Sequence, residues 1–440
     1  MACLGTLPAP HCLKAPIAAQ TKCFFGTILT GSDHPSAMSQ VVGESQRFIV
    51  AFCGSGTGHL TQAMRVAEML QERGQTLAGI VTDSDASEKM LDEMVRPLCK
   101  NGVELLVIPA IEMVDTEVGF IPLVNPGRFI GSILEVQKSL HGNRAEYADY
   151  FARARAGRIY CMYHSTLARF FQLNPLPPSV KCVHMAAQFG LCELTHEETI
   201  SFVEVGTKAV MEFLRDIFLQ SGQVAAISPI GTPGSLPPII HSPAPVQLQL
   251  PKLVLCYFLV RTHAEILDRI LADNPIPGVE FHCFTQKALD KPMSQLHSHQ
   301  KQRKLFQELF SKCTAVIVSA GNETVWEAVV RGVPVLTIPT EGHGEQLLNA
   351  AVHARNFPRL VRAAPHLEAS DVHWLVNYRL DDPAATAESA KLRALVDGFN
   401  KEGSPLLETG NPDDLPTMRN AIKRRVTAVL QSAQSFVDRR

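Results

Sequence analysis

The chain has 440 residues, 46% of them hydrophobic and 19% charged, and a formal net charge of -2. This length suits two or three domains with sizeable cores, and the charge removes any electrostatic case for nucleic-acid binding. No apolar run reaches the roughly 18 residues that a membrane-spanning helix needs. The 11 cysteines include Cys53, Cys256 and Cys283 in apolar strand-like runs. They predict buried thiols in a reducing, cytoplasmic environment rather than disulfides or a zinc site.

Residues 1–46 differ in character from the rest of the chain. They contain Pro8, Pro10 and Pro16, few acids and no clear hydrophobic period. A secretory signal has a longer apolar core than this segment offers. Arginine, which organellar transit peptides favour, is absent until Arg47. We predict a disordered extension, with organellar targeting as the alternative.

The ordered N-terminal domain is predicted to span residues 47–235. It opens with a wholly apolar strand at residues 48–53, as expected of a strand buried on both faces. A glycine-rich turn follows, and then an amphipathic helix that ends at Gly74. Further strands are predicted at residues 77–81, 103–108, 159–163 and 180–185. Alternating strands and helices indicate a parallel sheet with crossover helices.

Seven prolines between residues 228 and 251 indicate a linker, which we place at residues 236–251. A second α/β domain is predicted at residues 252–375. Its predicted strands are at residues 253–259, 279–284, 315–318 and 333–338, and its predicted helices are at residues 263–272, 302–312, 323–331 and 345–355. Residues 376–440 form a helical tail, whose last stretch carries an apolar stripe from Met418 to Phe436 suited to packing across a domain.

The predicted fold class is therefore α/β, with two doubly wound Rossmann-like domains and C-terminal helices. Such sheets bind ligands at the carboxyl ends of their strands. Two domains that face each other would place a cleft between those ends.

The first candidate motif, Gly-Ser-Gly-Thr-Gly-His at residues 54–59, joins a strand to a helix. Gly56, Thr57 and Gly58 would bring backbone amides at the helix start close to an anionic ligand. The motif is not a Walker loop, because no Gly-Lys-Ser/Thr follows. His59 suits a general base, since its unperturbed pKa is about 6.5. A turn that only connects the two elements is the alternative.

The second motif, at residues 315–327, is a strand, a small-residue turn and a helix start. The residues around that helix start are Ser319, Gly321, Asn322 and Thr324. Diphosphate oxygens would accept amide hydrogen bonds there. Glu327, about one turn further along, is placed to accept both hydroxyls of a ribose. The alternative is a capping box between Thr324 and Glu327.

The third motif follows a strand that ends at Pro339 and opens into a polar loop. Glu345 and Gln346 begin the next helix, and their carboxylate and amide groups suit sugar hydroxyls, which both donate and accept. His343 is a candidate to face a phosphate. Arg261, after an earlier strand of this domain, is another. A solvated loop is the alternative interpretation.

In order and spacing, the second and third motifs resemble the C-terminal signature of GT-B nucleotide-sugar glycosyltransferases. The likeness is to the predicted UDP-sugar transferases grouped near MurG and monogalactosyldiacylglycerol synthase. The shared positions are Gly321, Thr324, Glu327, Ala328, Gly332, Pro334, Val335, Leu336, Pro339, Glu345, Gln346, Asn349 and Ala350. The resemblance extends to the Gly-His turn of the N-terminal domain and to the linker.

The resemblance implies a role for each matched residue. Glu327 would hold the donor ribose, Glu345 and Gln346 the sugar hydroxyls, and the turn at residues 319–322 the diphosphate. His59 would be the acceptor's base or a phosphate contact.

The chain departs from the family at three places. Glu323 carries a charge where a neutral or aromatic residue is more usual. The loop at residues 260–263 lacks the usual glycine and serine. Tyr163 and His164 stand where related transferases often carry an acidic residue.

The implied activity is transfer of a hexose or N-acetylhexosamine from a nucleoside-diphosphate sugar, expected to be a UDP-sugar, to an acceptor hydroxyl. The acceptor is open: a glycan, a lipid or a small molecule. The reaction is expected to be inverting, without a cofactor or a metal, because GT-B enzymes stabilise the leaving diphosphate with helix dipoles and cations. Asp83-Ser-Asp85 formally matches a metal-binding D-x-D sequence but is predicted to be a turn or a cap.

Two other functions remain open. A nucleotide-sugar epimerase of the same fold would use Glu341 or Glu345 as its acid and base. A non-catalytic protein would only bind the nucleotide sugar. Peripheral membrane contact is a further alternative for the basic face of the tail.

Overall fold

Two parallel sheets of six strands each, flanked by helices, make up most of the described part of the chain. The structure is a computed structural model and describes residues 46–54, 58–99, 101–112, 114–115, 119–120, 125–192, 194, 202–232, 234–246, 251–404 and 407. Both sheets belong to one compact unit of the chain.

The N-terminal half alternates strands with helices. Its strands are β1 (Arg47–Phe52), β2 (Thr76–Asp83), β3 (Glu104–Ile108), β4 (Val114–Asp115), β5 (Gly119–Phe120), β6 (Arg158–Met162), β7 (Lys181–Ala186) and β8 (Gln223–Ala226). Its helices are α1 (Gly58–Glu72), α2 (Glu88–Met90), a π-helical turn (Leu91–Val95), α3 (Arg96–Cys99), α4 (Pro126–Gly142), α5 (Arg144–Ala154), α6 (Ser165–Leu173), α7 (Gln188–Leu191) and α8 (Phe202–Leu219). Strands β4 and β5 pair antiparallel as a separate hairpin.

The C-terminal half repeats this arrangement. Its strands are β9 (Lys252–Tyr257), β10 (Val279–Thr285), β11 (Leu296–Gln300), β12 (Ala315–Val318), β13 (Val335–Thr337) and β14 (Val361–Ala363). Its helices are α9 (Arg261–Asp273), α10 (Arg303–Lys312), α11 (Asn322–Arg331), α12 (Gly344–Asn356), α13 (Ala369–Val376) and α14 (Pro383–Glu402).

The two sheets have the same strand order. It runs β3-β2-β1-β6-β7-β8 in the first and β11-β10-β9-β12-β13-β14 in the second, and every pairing within both is parallel. This order reverses direction next to the first strand of each half. The reversal point of a doubly wound sheet is where ligands bind, so the loops after β1, β6, β9 and β12 position the site.

The central strands are buried because their residues are apolar on both faces. In β1, Phe48, Val50 and Phe52 pack beneath α1, while Ile49 and Ala51 face the opposite layer of helices. Cys256 and Cys283 are fully buried, as predicted, whereas Cys53 is only partly buried.

Helix α14 and the residues after it connect the two halves. Ser389 Oγ donates to the Val330 carbonyl in α11 at 3.0 Å, and Asn400 Oδ1 accepts from Arg65 of α1 at 3.2 Å. Further along, the Leu407 carbonyl accepts from Tyr160 Oη in β6 at 2.6 Å. The tail therefore packs across both halves up to this point. The predicted apolar stripe from Met418 onward lies outside the described residues.

The predicted elements are mostly found within a few residues of their expected bounds. Three strands of the six-stranded sheets were not predicted, and each lies at the edge of its sheet: β8, β11 and β14. The short hairpin of β4 and β5 was not predicted either. The proline-rich segment follows β8 and precedes β9 in the chain. Among the residues that the structure describes, every helix is too short or too polar to cross a bilayer.

Candidate active site between the two halves

The loop after β1 is tied to the turn after β2. Gly54 N donates to Asp83 Oδ1 at 2.9 Å, and the same oxygen accepts from Asp85 N at 3.2 Å. A Cβ on Gly54 would lie 2.8 Å from Ala86 Cα and closer still to Ala86 N, so a side chain does not fit here. The prediction that the Asp-Ser-Asp sequence forms a turn is confirmed.

The end of this loop meets the C-terminal half. Gly56 and Thr57 lie outside the described residues. Gly58 begins α1, and a Cβ on it would lie 2.6 Å from Cδ of Glu323 in α11. Because Gly58, the glycine predicted to approach a ligand, has no side chain, the two halves can approach each other here.

His59, the predicted general base, is half-buried at the start of α1. Its ring stacks on Tyr163 with centroids 5.8 Å apart and planes 28° apart. Its Nδ1 is buried and has no hydrogen-bond partner among the described residues. Burial, and then the neighbouring His164, lower the pKa of His59 to about 4. The imidazole is therefore neutral at pH 7 and able to accept a proton.

Tyr163 has a left-handed backbone conformation, which the packing of its ring holds in place. Its φ of 51° lies in the left-handed region, which is costly for a residue with a bulky side chain. The ring also packs on Phe189 and Phe218, with centroids 5.7 Å and 5.3 Å away. These contacts fix the ring on which His59 stacks.

Asp83, a buried carboxylate of the N-terminal half, lies next to His164 rather than next to His59. Asp83 Oδ2 is 3.9 Å from Nδ1 of His164, and both side chains are buried. Burial raises the pKa of Asp83 to about 6 and lowers the pKa of His164 to about 4. At pH 7 an ionised Asp83 carboxylate therefore lies beside the neutral imidazole of His164. Within the described part of the chain, no carboxylate acts on His59 in this way.

The loops after β9 and β12 form the matching part of the C-terminal half. Ser319 Oγ accepts from Leu259 N at 3.0 Å, which joins the two loops. The N-cap of α11 is Gly321, a residue without a side chain, so the capping box considered between Thr324 and Glu327 is wrong. The helix therefore presents its first amides and the positive end of its dipole at this point.

Glu327 lies one turn into α11 and is half-buried. Burial, and then the neighbouring Glu323, raise its pKa to about 7, while Arg303 and Arg331 act in the opposite direction. The guanidinium of Arg331 is held by a structural hydrogen bond, which it donates to the Ser311 carbonyl at 2.8 Å. Glu327 is therefore only partly ionised at neutral pH without a ligand.

The Glu345-Gln346 pair is already hydrogen-bonded within the chain. Glu345 Oε1 accepts from Gln188 Nε2 of α7 at 2.9 Å, and burial raises the pKa of Glu345 to about 7. Gln346 Oε1 accepts from Thr340 N at 2.7 Å. A sugar hydroxyl would have to share these acceptor atoms with their present donors or displace those donors.

Two predicted phosphate contacts have other partners here. His343 is the N-cap of α12, where its Nδ1 accepts from Gln346 N at 3.5 Å. Burial lowers the pKa of His343 to about 4, so it is a neutral cap. Arg261 pairs with Glu265 at 2.9 Å and with Asp290 at 3.4 Å. The structure supports a capping role for His343 and leaves Arg261 neutralised by two carboxylates.

The two halves meet at these residues. Gln62 Nε2 of α1 donates to Glu323 Oε1 of α11, as Gln188 does to Glu345. Burial is the main cause of the raised pKa of Glu327, Glu345 and Tyr163; Glu323 adds to the first two shifts and Glu345 to the third. His59 stacks on Tyr163, so these side chains form one cluster between the two halves.

The sequence prediction missed two members of this cluster. Gln62 lies four residues after Gly58, on the same face of α1, so helical spacing could have revealed it. Gln188 follows β7 at the start of the short helix α7, and no motif marks it.

A cavity of about 360 Å³ opens beside the cluster. Its N-terminal wall follows β7 and β8 and includes Gly190 and Ser228, and its C-terminal wall includes Asn322, Trp326 and Asn349. Two residues of the predicted donor motifs, Asn322 and Asn349, thus border space that a small molecule could enter.

Comparison with known proteins identifies the fold. No protein-family model matches the chain, and no curated protein matches its sequence. Among solved structures, it is similar to the glycotransferase of kitacinnamycin, with 12% identity, coverage of 84% of this chain and 100% of that chain, and a TM-score of 0.53. It is also similar to Arabidopsis thaliana UGT89C1 complexed with UDP-L-rhamnose, with 13% identity, coverage of 84% and 97%, and a TM-score of 0.54.

The same plant protein complexed with quercetin gives 13% identity, coverage of 82% and 97%, and a TM-score of 0.56. At these identities the similarity shows the fold. The chain has the GT-B fold, with two Rossmann-like halves, which confirms the predicted fold class.

Proposed function

We propose that the chain is a glycosyltransferase that moves a hexose or N-acetylhexosamine from a nucleoside-diphosphate sugar to an acceptor hydroxyl. The observation that carries the proposal is the contact between the starts of α1 and α11: Gln62 donates to Glu323, and Gly58 lies against the Glu323 carboxyl group. His59 follows Gly58 in α1, and Glu327 lies one turn after Glu323 in α11. One similar solved structure is described as a glycotransferase, and another is complexed with UDP-L-rhamnose. The second complex favours a UDP-sugar as the donor.

The donor would lie along the start of α11. Backbone amides of residues 322–324 and the positive end of the helix dipole suit the diphosphate. Glu327, one turn further, would accept the two ribose hydroxyls. Hydrogen bonds from these hydroxyls favour the ionised carboxylate, so donor binding would lower the pKa of Glu327 from its ligand-free value near 7. Glu345 and Gln346 would hold the sugar.

The chemistry is a single displacement. The acceptor oxygen forms a bond to the anomeric carbon while the bond from that carbon to the diphosphate oxygen breaks. His59 takes the acceptor proton on a ring nitrogen, and the diphosphate leaves with the electron pair. Because the pKa of His59 is about 4 in the ligand-free form, the imidazole is a weak base, and proton transfer would accompany bond formation rather than precede it.

Helix α11 would stabilise the leaving group. Its first amides are fixed in place before the reaction, so they stabilise the developing diphosphate charge without reorganising. The proposal therefore assigns this task to the helix rather than to a metal ion, and an in-line displacement inverts the configuration of the anomeric carbon.

A thermal-shift panel of nucleotide sugars tests the proposal. A donor at 100 times its Kd should stabilise the folded protein by about 2.7 kcal/mol. The E327Q variant should lose this response, whereas E135Q, an exposed change on α4, should keep it. If no nucleotide sugar raises the melting temperature, or if E327Q responds like the unmodified protein, the proposal is wrong.

An epimerase is the second candidate, because the pKa of Glu345 near 7 suits a carboxyl that both donates and accepts a proton. Incubation with a nucleotide sugar and no acceptor separates the two. An epimerase would release a nucleotide sugar with an inverted ring carbon, while a transferase would leave the donor unchanged or hydrolyse it slowly.

A further inference from the structure

Glu323 is the second residue of α11, and its carboxyl group lies where the first turn of the helix meets α1. Oε1 accepts from Gln62 Nε2, and the carboxyl carbon is 2.6 Å from the place that a Cβ on Gly58 would occupy. Burial raises the pKa of Glu323, while its own backbone N–H and the Gln62 amide stabilise the ionised carboxyl and act in the opposite direction. The side chain is half-buried, so these contacts replace much of its hydration.

A helix N-terminus favours a negatively charged group, because its free amides and its dipole both attract one. In α11, with Gly321 as the N-cap, a carboxylate of the helix itself takes this position. The same helix start is the place that the proposed function gives to the donor diphosphate. Two anionic groups at one helix start repel each other, and Glu327 and Glu345 already couple electrostatically to Glu323.

We propose that Glu323 competes with the donor diphosphate for the start of α11 and must swing away before the donor can bind. This inference rests on the proposed function, since it concerns the diphosphate part of the same site. It gives a role to the charged residue that distinguishes this chain from the family it resembles.

The partner of Glu323 links this competition to the contact between the halves. Gln62 belongs to α1 and is 1% exposed, and its Oε1 is buried without a partner within the described ranges. When Glu323 leaves, Gln62 loses its acceptor as well, so the contact between α1 and α11 is broken. Donor binding would therefore exchange a contact within the protein for one with the ligand, at a cost in affinity.

Isothermal titration calorimetry with UDP and with uridine tests the proposal. The E323Q variant keeps the size of the side chain and removes its charge, and E323A removes the carboxyl group. Both should bind UDP at least tenfold more tightly than the unmodified protein. Uridine, which has no phosphate, should bind all three within twofold. E135Q serves as the control for an exposed charge removed elsewhere, and thermal melts establish that each variant is folded.

The possible results distinguish a failure of the Glu323 competition from a failure of the proposed donor site. If UDP binds the unmodified protein and E323Q binds it no more tightly, the competition is refuted while the proposed function stands. If E323Q tightens UDP and uridine equally, the effect is not on the diphosphate and the competition is again refuted. If UDP binds none of the variants, the proposed donor site is wrong and the inference fails with it.

Discussion

Replacing Glu327 with glutamine should make the ligand-free protein more stable at pH 8 while removing its response to a nucleotide sugar. Burial is the main reason why the pKa of Glu327 rises from 4.5 to about 7. A carboxyl whose pKa is higher in the folded state binds its proton more tightly when folded. Ionisation of this carboxyl therefore destabilises the folded protein, and the free energy of unfolding falls as the pH rises from 4.5 to about 7.

The size of the effect follows from this difference. Fully buried, the ionised carboxylate would cost at most about 3 kcal/mol above pH 7. Because the side chain is only half-buried, solvent screens part of this cost, and we expect about 1–2 kcal/mol. For a domain of this size, that corresponds to a rise in melting temperature of about 2–4 °C.

The assay is a thermal melt of E327Q and the unmodified protein at pH 8 and pH 4.5, with E135Q as the exposed control. We expect the E327Q difference at pH 8 to be nearly gone at pH 4.5, where the glutamate is protonated in the folded state and half protonated in the unfolded state. E135Q should behave alike at both pH values. A second melt at pH 8 with the nucleotide sugar should show stabilisation of the unmodified protein only. Equal melting temperatures at pH 8, or an E327Q variant less stable there, would refute the reasoning.

Three further predictions follow from the cluster. H59A should lower turnover by roughly 10²–10⁴-fold and leave nucleotide-sugar binding unchanged; unchanged turnover in a product assay would favour a non-catalytic protein. G54A places a Cβ against Ala86 and should cost about 3 kcal/mol in urea unfolding, whereas G131A, which meets nothing within 4 Å in α4, should be neutral or stabilising. Q188A removes a hydrogen bond that lowers the pKa of Glu345, so the acidic limb of the kcat/KM profile should move to higher pH; an unmoved limb would contradict this role.

The strands that could be predicted from the sequence are those that are buried on both faces and therefore consist of apolar residues. Strand β1 pairs on both sides and is covered on both faces, so it is apolar throughout. Strand β11, Leu-His-Ser-His-Gln, pairs only with β10 and is largely exposed, so it carries no apolar run. Strand β14, Val-Arg-Ala, was missed for the same reason. Strand β8, Gln-Val-Ala-Ala, is mostly buried and apolar, but it is only four residues long and gives too short a signal to identify a strand.

The site was predictable where function fixes residue types close together in the chain. Glu327 follows the turn at residues 319–322 by one helical turn, and Glu345 and Gln346 open the next helix, so local spacing identified them. Helical spacing could place Gln62 on the face of α1 that carries Gly58, but the partners of Gln188 and Gln62 lie 157 and 261 residues away and are brought to them only by the fold.

The sequence pattern identifies residues that could bind a ligand, but it does not show which hydrogen-bond partners they already have within the protein. Glu345, Gln346 and Glu323 accept hydrogen bonds from Gln188, Thr340 and Gln62. A polar group that loses one partner must gain another, because leaving it buried and unpaired costs about 1–3 kcal/mol.

Donor binding at this site is therefore an exchange of partners, in which each displaced contact must be replaced by a hydroxyl or phosphate of the ligand. A sugar that lacks the hydroxyl facing Glu345 would not replace the contact between Glu345 and Gln188 if the bound sugar separates the two. Such a site discriminates against the missing group more strongly than an apolar pocket discriminates by size. Comparing kcat/KM for a nucleotide sugar and its deoxy analogues would locate that hydroxyl, and a Q188A variant should show a smaller ratio between them. If no deoxy position alters kcat/KM, the Glu345 pair does not face the sugar.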